Sequence, residues 1–234
     1  MNRRSFYAEV RSSLFAGRLG QAQVDGMDAL LDEFEQRAGF DRRWFAYILA
    51  TTFHETARTM QPIEEFGRGR GRPYGVADAV TGKTYFGRGF VQLTHKTNYD
   101  KLGRKLGKNL VANPELALQP EIATAIIFEG MVAGDFTGKR LGNYFTASTS
   151  DWYEARRIVN ILDRAALIAD YGRKFYAAVI AATNPSLAAR TPDPMPDPDE
   201  TAGAEAAPRG MNPDATLDDE EAAIIAEYLS ARRE

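Results

Sequence analysis

Three glutamates in the segment ATTFHETARTMQPIEEFG have the positions that acid–base chemistry requires. Glu55 ends an apolar run, so we expect it on a buried helix, where burial raises the pKa of a carboxyl group and suits it to general-acid catalysis. Glu64 and Glu65 follow beyond Pro62, in a glycine-rich segment that water can reach. A protonated and an ionised carboxyl across a cleft are the catalytic groups of glycosidases. A glutamate at a helix end is also commonly solvated or salt-bridged, and the residues alone leave that alternative open.

The chain has few residues that could support metal or thiol chemistry. The chain contains no cysteine, which excludes disulfides, a thiolate nucleophile and zinc sites with Cys ligands. A HExxH zinc motif starting at His54 would need a second histidine at position 58, which is Arg58. His54 and His95 could in principle share a metal, but two ligands make a weak site and structural hydrogen bonds are the better interpretation. We therefore predict no metal and no cofactor.

The loop FGRGRGRPYG places Arg68, Arg70 and Arg72 between glycines, with Phe66 and Tyr74 nearby. Arginine, glycine and aromatic residues in this pattern are typical of segments that bind nucleic acid through phosphates and stacking. A basic loop beside a cleft for an anionic polymer explains the composition equally well. Because the segment is short and unrepeated, we favour the anionic polymer and predict no nucleic-acid partner.

Hydrophobic periodicity predicts a mainly α-helical body that positions these residues. The segment 42–59 is apolar around most of its circumference, which predicts a helix buried at the centre of the body. Residues 62–90 combine glycines, aromatics and turn signals, so we predict a long loop with a short irregular hairpin. Further helical patterns cover residues 6–15, 21–36, 98–106, 120–133, 151–159 and 164–182.

The C-terminal fifty residues differ from the rest in composition. Residues 1–184 carry 25 Lys+Arg and 20 Asp+Glu, whereas residues 185–234 carry 4 and 12. Seven of the eleven prolines lie in 185–213, so we predict a linker over 185–215 after a first domain, 1–184. Residues 216–234 predict an acidic amphipathic helix, which either docks on a partner protein or on the body, or is simply solvated. Its apolar face would contain Leu217, Ile224, Ile225, Tyr228 and Leu229.

No stretch approaches the roughly 20 apolar residues that a membrane-spanning helix needs, so we expect no stable membrane insertion. The basic start, MNRRSFYAEVRSSLFAGRL, lacks the continuous apolar run of a secretory signal because Glu9, Arg11 and Arg18 interrupt it. We therefore expect synthesis in the cytoplasm without a signal peptide.

Three motifs carry a resemblance to a known family. HET at 54–56, YFGRGFVQLTHKTNY at 85–99 and RRIVN at 156–160 resemble the glycoside hydrolase family 19 chitinases and, more closely, the related phage endolysins. The block 85–99 is the specific part, because it matches over a dozen contiguous positions. The resemblance covers roughly residues 3–182. It implies a lysozyme-like helical body with a small irregular β-hairpin beside the cleft.

The resemblance also assigns roles to individual residues. Glu55 matches the general acid of the family, Glu65 is the favoured base with Glu64 second, and Thr94 replaces a Ser that helps hold the attacking water. Asn160 matches the Asn of an INGG turn, but Ile161 and Leu162 stand where the family has glycines. Without the resemblance, the polar residues of the block 85–99 would more simply cap the turn before the next helix. The residues expected to contact substrate are His54, Tyr85, Arg88, Gln92, Asn98 and Asn160.

These assignments imply an endolysin that hydrolyses MurNAc–GlcNAc bonds of peptidoglycan, with inversion of the anomeric centre, and thereby lyses the cell. The positive body, 1–184, suits peptidoglycan strands, which are anionic, better than neutral chitin. Endolysins of this kind reach the wall in the periplasm through a separate membrane pore. The alternatives are a lytic transglycosylase, which needs a single acid, a chitinase on the same scaffold, or a non-catalytic glycan-binding module.

Overall fold

A computed structural model describes residues 1–184, which form a mainly α-helical body with one small antiparallel sheet. The linker predicted for 185–215 and the helix predicted for 216–234 lie outside the described residues. The helices are α1 (Arg3–Ser13), α2 (Gln21–Gln36), α3 (Arg42–Glu55), α4 (Lys96–Leu106), α5 (Pro120–Ala133) and α6 (Ala165–Thr183). The strands are β1 (Ile63–Glu64) and β2 (Arg88–Gly89). Short 3₁₀ turns cover Phe66–Gly69, Pro73–Gly75, Pro114–Leu118, Leu141–Asn143 and Glu154–Ile158.

Helix α3 lies at the centre of the core, as its apolar circumference predicts. It begins where the Asp41 side chain accepts a hydrogen bond from the backbone N–H of Arg43, and every residue of 45–53 is buried. Helix α6 packs against it, and the rings of Phe53 and Phe175 meet edge to face. The predicted end at residue 59 is wrong, because the chain leaves the helix after Glu55 and enters a turn with left-handed backbone angles.

The predicted helices 21–36 and 120–133 are confirmed with these limits, and those near 6–15, 98–106 and 164–182 are confirmed with small shifts at their ends. The segment 151–159 is instead a 3₁₀ turn, Glu154–Ile158. Its local hydrogen bonds start at the Asp151 side chain, which accepts from the backbone N–H of Glu154. The turn directs Arg156 into the interior, so a tertiary contact decides the local structure here. In residues 1–184, no helix is both long and apolar enough to cross a membrane.

The predicted irregular hairpin is confirmed as the pairing of β1 with β2. Ile63 lies opposite Gly89, and Glu64 lies opposite Arg88. Gly89 has φ +83°, and a Cβ atom there would lie 2.7 Å from the carbonyl oxygen of Ala117, so only glycine fits. The hairpin brings the long loop between its strands beside the end of α3.

Candidate active site

A cleft of about 600 Å³ lies between the end of α3, the loop that follows β1, the loop that precedes α4 and the segment 136–160. Two of the three candidate carboxylates, Glu55 and Glu65, line it. Of the other residues predicted to do chemistry or contact substrate, Gln92, Thr94, Asn98 and Asn160 also line it. The cleft is completed by Phe66, Tyr74, Gly87, Val91, Leu93, His95, Phe136 and Val159.

Glu55 projects into the cleft from the last residue of α3 and pairs with Arg156. The Arg156 guanidinium donates to Glu55 Oε1 at 2.6 Å, and its Nε donates to the carbonyl oxygen of Asp163 at 3.1 Å. The Arg156 side chain is 3% exposed and that of Glu55 is 17% exposed. The salt-bridged alternative that the residues alone leave open therefore describes Glu55 in this structure. Because Oε1 accepts from Arg156, Oε2 is the oxygen left for contact with a substrate.

Glu65 enters the cleft from the loop after β1 and is held by neutral donors. Its Oε1 accepts from the Tyr74 hydroxyl and its Oε2 from the backbone N–H of Gly87, each at 3.0 Å. A Cβ atom on Gly87 would lie 2.8 Å from Gln92 Oε1, so glycine permits this close approach. Burial and the hydrogen bond to Glu65 raise the pKa of Tyr74, which keeps its hydroxyl a donor. The donors to Glu65 are thus a phenol hydroxyl and a backbone amide, whereas the donor to Glu55 is a guanidinium.

Glu64 is placed outside the cleft. Successive side chains of a strand point to opposite faces, so Glu64 and Glu65 separate at the end of β1. Glu64 instead forms ion pairs with Arg68, at 2.8 Å, and with Arg88, at 3.5 Å. Of the two candidates for the base that the sequence leaves open, Glu65 lines the cleft and Glu64 does not. Glu64 instead provides a counter-charge for the buried Arg88.

The loop before α4 orients three polar side chains at the cleft. Thr94 Oγ1 donates to the carbonyl oxygen of Gln92 at 2.8 Å, which leaves its lone pairs able to accept a hydrogen bond from water. Asn98 donates through Nδ2 to the carbonyl oxygen of Thr94 at 2.9 Å, and Gln92 donates through Nε2 to Ile63 and Gly89. These bonds cap the turn, as the structural interpretation expects, and they also leave oxygen acceptors in the cleft.

The loop before α4 also contains strained backbone. Gln92 has φ 54° and His95 has φ 72°, a left-handed region that residues other than glycine rarely adopt. The ring of His95 packs edge to face against Tyr74, with centroids 5.3 Å apart. Strained non-glycine residues persist where the surrounding structure holds them, and they concentrate at functional sites.

Three residues predicted to contact substrate are not among those that line the cleft. Tyr85 is buried, and its hydroxyl donates to the carbonyl oxygen of Val111 at 2.9 Å, so the ring anchors the loop to the core. Arg88 is also buried, with its guanidinium 3.7 Å from the centroid of the Phe86 ring and bonded to the Tyr99 hydroxyl. His54 precedes Glu55 on α3. None of these three side chains lines the cleft in this structure, and their contact with substrate stays a prediction.

The far wall of the cleft contains residues that the sequence analysis did not select. Phe136 lies there because α5 carries Gly130, where a Cβ atom would approach the Phe136 ring to 2.1 Å. An isolated glycine within a helical pattern is a signal for such packing. Asn160 lines this wall as expected, with its Oδ1 accepting from the backbone N–H of Ile161, whose side chain is 76% exposed.

The part of the chain that the structure describes contains no group of three or more His, Asp and Glu side chains that could hold a metal ion.

Comparisons with known proteins place this arrangement in context. Residues 72–134 match the sequence profile of glycoside hydrolase family 19, chitinase class I. Acidic endochitinase Q of Nicotiana tabacum is 36% identical over 75 residues, which are 32% of this chain and 28% of that protein. An endochitinase of Solanum tuberosum is 34% identical over 104 residues, covering 37% of this chain and 32% of that protein. The chain thus spans about a third or less of the length of these relatives.

Solved structures show the same fold over most of the described residues. Chitinase C of Streptomyces griseus superposes with a TM-score of 0.51 and 22% identity, covering 77% of this chain and 76% of that one. A bacterial family 19 chitinase gives a TM-score of 0.50 and 20% identity, covering 75% and 93%. The fold predicted from the resemblance is therefore confirmed. The matched profile contains Gln92, Thr94 and Asn98, whereas both cleft carboxylates and Arg156 lie outside it.

Proposed function

We propose that the chain is a glycoside hydrolase that uses Glu55 as general acid and Glu65 as general base. The observation that carries this proposal is the convergence of the two carboxyl groups on one cleft from different elements, α3 and the loop after β1. Their surroundings differ, since Glu55 pairs with a guanidinium and Glu65 accepts from a phenol and an amide. Distinct environments allow two carboxyl groups to have different roles. The assignment of the acid role to Glu55 is supported by its match to the glutamate of the HET motif in the family that the sequence resembles.

In this mechanism Glu55 donates a proton from Oε2 to the glycosidic oxygen as the bond to the anomeric carbon breaks. Glu65 takes a proton from a water molecule, whose oxygen attacks the anomeric carbon from the opposite face and inverts it. Thr94 accepts a hydrogen bond from the same water and restricts its orientation. Glu55 then regains its proton from solvent, and Glu65 releases one, so the net reaction consumes a single water.

We propose peptidoglycan as the substrate because of the charge around the cleft. The three arginines of the loop between Phe66 and Tyr74 are exposed. Among the described residues Arg68 pairs with Glu64, whereas Arg70 and Arg72 form no ion pair with an acidic side chain. Phe66 and Tyr74, at the ends of this loop, line the cleft, and uncompensated cations between them attract an anionic polymer. Carboxylates of muramic acid and of stem peptides supply that charge, and chitin does not.

The cellular role follows from the resemblance to endolysins. We propose that the protein cleaves MurNAc–GlcNAc bonds and lyses the cell, reaching the wall from the cytoplasm through a separate pore. Chitin is the second candidate substrate, because the relatives and structural neighbours named above are chitinases.

Digestion of purified peptidoglycan followed by mass spectrometry tests the reaction. We expect new reducing ends. The sugar at the new reducing end, GlcNAc or MurNAc, identifies the bond that is cut. Anhydro-muramic products would contradict the hydrolase and indicate a lytic transglycosylase. Cleavage of chitin oligosaccharides with peptidoglycan left intact would favour the chitinase, and binding without any product would favour a glycan-binding module.

Neutralising the two unpaired arginines separates the candidate substrates. We expect the double variant R70Q/R72Q to lower kcat/KM for peptidoglycan about tenfold at low salt, because electrostatic attraction speeds association. The rate on a neutral chitin oligosaccharide should not change. In about 1 M salt, where the Debye length is about 3 Å, the difference between variant and parent should disappear.

A matched control removes two exposed arginines from α1. The double variant R4Q/R11Q makes the same change in net charge far along the chain from the cleft residues. Equal losses in both double variants would mean that total charge, and not the arginine loop, governs the rate.

A further inference from the structure

The turn between α3 and β1 joins the two cleft carboxylates and is strained. Ala57, Arg58 and Met60 have φ values of 47°, 63° and 53°. In this left-handed region the Cβ atom of an L-residue approaches its own carbonyl oxygen, so three such residues in four positions are unfavourable. None of the three is glycine, and side-chain and packing contacts must therefore maintain the conformation.

The Thr56 hydroxyl supplies the first of these contacts. The Thr56 side chain is fully buried, and Oγ1 donates to the carbonyl oxygen of Thr52 at 2.7 Å. The same oxygen accepts from the backbone N–H of Met60 at 3.1 Å. One hydroxyl thus connects the last turn of α3 to the strained residue four positions later.

Helix α2 supports the turn from the other side. Gln23 donates through Nε2 to the carbonyl oxygen of Arg58 at 3.0 Å, and the Gln61 side chain donates to the carbonyl oxygen of Ala22. A Cβ atom on Gly26 would lie 1.6 Å from the carbonyl oxygen of Met60, so the backbones of α2 and the turn are in direct contact. The turn is therefore enclosed between two helices.

We infer that this turn sets the position of Glu65 relative to Glu55, with Thr56 and Gln23 as positioning residues. The inference rests on the proposed function, in which both carboxyl groups must act on one glycosidic bond. The turn is the covalent connection between them, and its strained geometry is imposed from α3 and α2. A displacement of about 1 Å between reacting groups lowers a rate by about 100-fold. Relaxation of the turn should therefore lower kcat.

The first test compares three threonine variants by kcat and KM on the glycan. Thr56→Val keeps the shape and removes both hydrogen bonds, and we expect kcat to fall about 10- to 100-fold with KM within about twofold. Thr56→Ser keeps the hydroxyl and should restore kcat to within about threefold. The matched control is Thr52→Val, because Thr52 lies one turn earlier on α3, is equally buried, and its hydroxyl has no hydrogen-bond partner among the described residues.

A second variant, at Gln23, tests the inference independently in case Thr56→Val fails to fold. Gln23→Glu keeps the oxygen that accepts from the backbone N–H of Gly20 and favours the start of a helix, but places an oxygen against the carbonyl of Arg58. We expect kcat to fall several-fold with KM unchanged, at a temperature where thermal unfolding shows the variant to be folded.

The inference is overturned if both variants keep the parental kcat when folded, or if Thr52→Val loses as much as Thr56→Val. A rise in KM at constant kcat would also overturn it, because a displaced carboxylate impairs the chemical step. Failure of the parent protein to cleave any glycan would instead contradict the proposed function.

Discussion

Replacing Glu55 with glutamine should lower the rate of glycan hydrolysis by about 10²- to 10⁴-fold. The amide cannot donate the proton that the leaving glycosidic oxygen needs, while its size and shape match those of the carboxyl group. Binding of the glycan should persist, because the cleft and its polar side chains remain. The measurement is the loss of turbidity of outer-membrane-permeabilised cells, together with retention of the variant on insoluble peptidoglycan.

The same substitution should have a moderate effect on folding. The amide oxygen can still accept a hydrogen bond from Arg156, but the buried guanidinium loses its counter-charge, and we expect the free energy of unfolding to fall by about 1–3 kcal/mol. Denaturant unfolding measures this change in the free energy of unfolding separately from the rate of hydrolysis. Glu121→Gln, on the exposed first turn of α5, is the control for loss of one carboxylate. A Glu55→Gln variant that lyses cells at the parental rate would remove Glu55 from the mechanism.

The elements that sequence periodicity predicts best are those whose ends carry a local signal. Helix α5 begins at Pro120 and ends before Gly134, which has φ +81°, and both residues are standard helix boundaries. The end of α3 has no such signal. The residues after Glu55 continue a helical composition, and the Thr56 hydroxyl and α2 impose the turn through contacts that no local pattern contains.

The residues of the site also differ in whether a local sequence pattern predicts their position. The local motif around Thr94 predicts its cleft position, because the residues that orient it are neighbours in the chain. The partner of Glu55 is 101 residues away, on a segment whose periodicity predicts a helix, so sequence spacing could not reveal it. Tyr85 belongs to the same motif but is buried, since an aromatic residue in a matching motif can face the core as readily as the cleft.

Replacing Glu65 and replacing Glu64 should affect different properties, the rate of hydrolysis in the first case and the stability in the second. Glu65→Gln should lower the rate of hydrolysis by about 10²- to 10⁴-fold, because the amide cannot take a proton from the attacking water. Its stability should change little, since the amide oxygen can still accept from Tyr74 or Gly87. Glu64→Gln should keep the rate of the folded protein. It should lower the free energy of unfolding by about 1–3 kcal/mol, because Arg88 is buried and pairs with Glu64.

Kinetics on purified peptidoglycan and denaturant unfolding of the two variants decide between the mechanisms. Loss of rate in Glu65→Gln alone supports an inverting hydrolase in which water is activated opposite Glu55. Loss of rate in a folded Glu64→Gln variant, with Glu65→Gln active, would exchange the two assignments and require the β1 end to rearrange when substrate binds. If both variants keep the parental rate, one acid is sufficient. The muramic acid hydroxyl then replaces water as the nucleophile, and the product changes from a reducing end to an anhydro sugar.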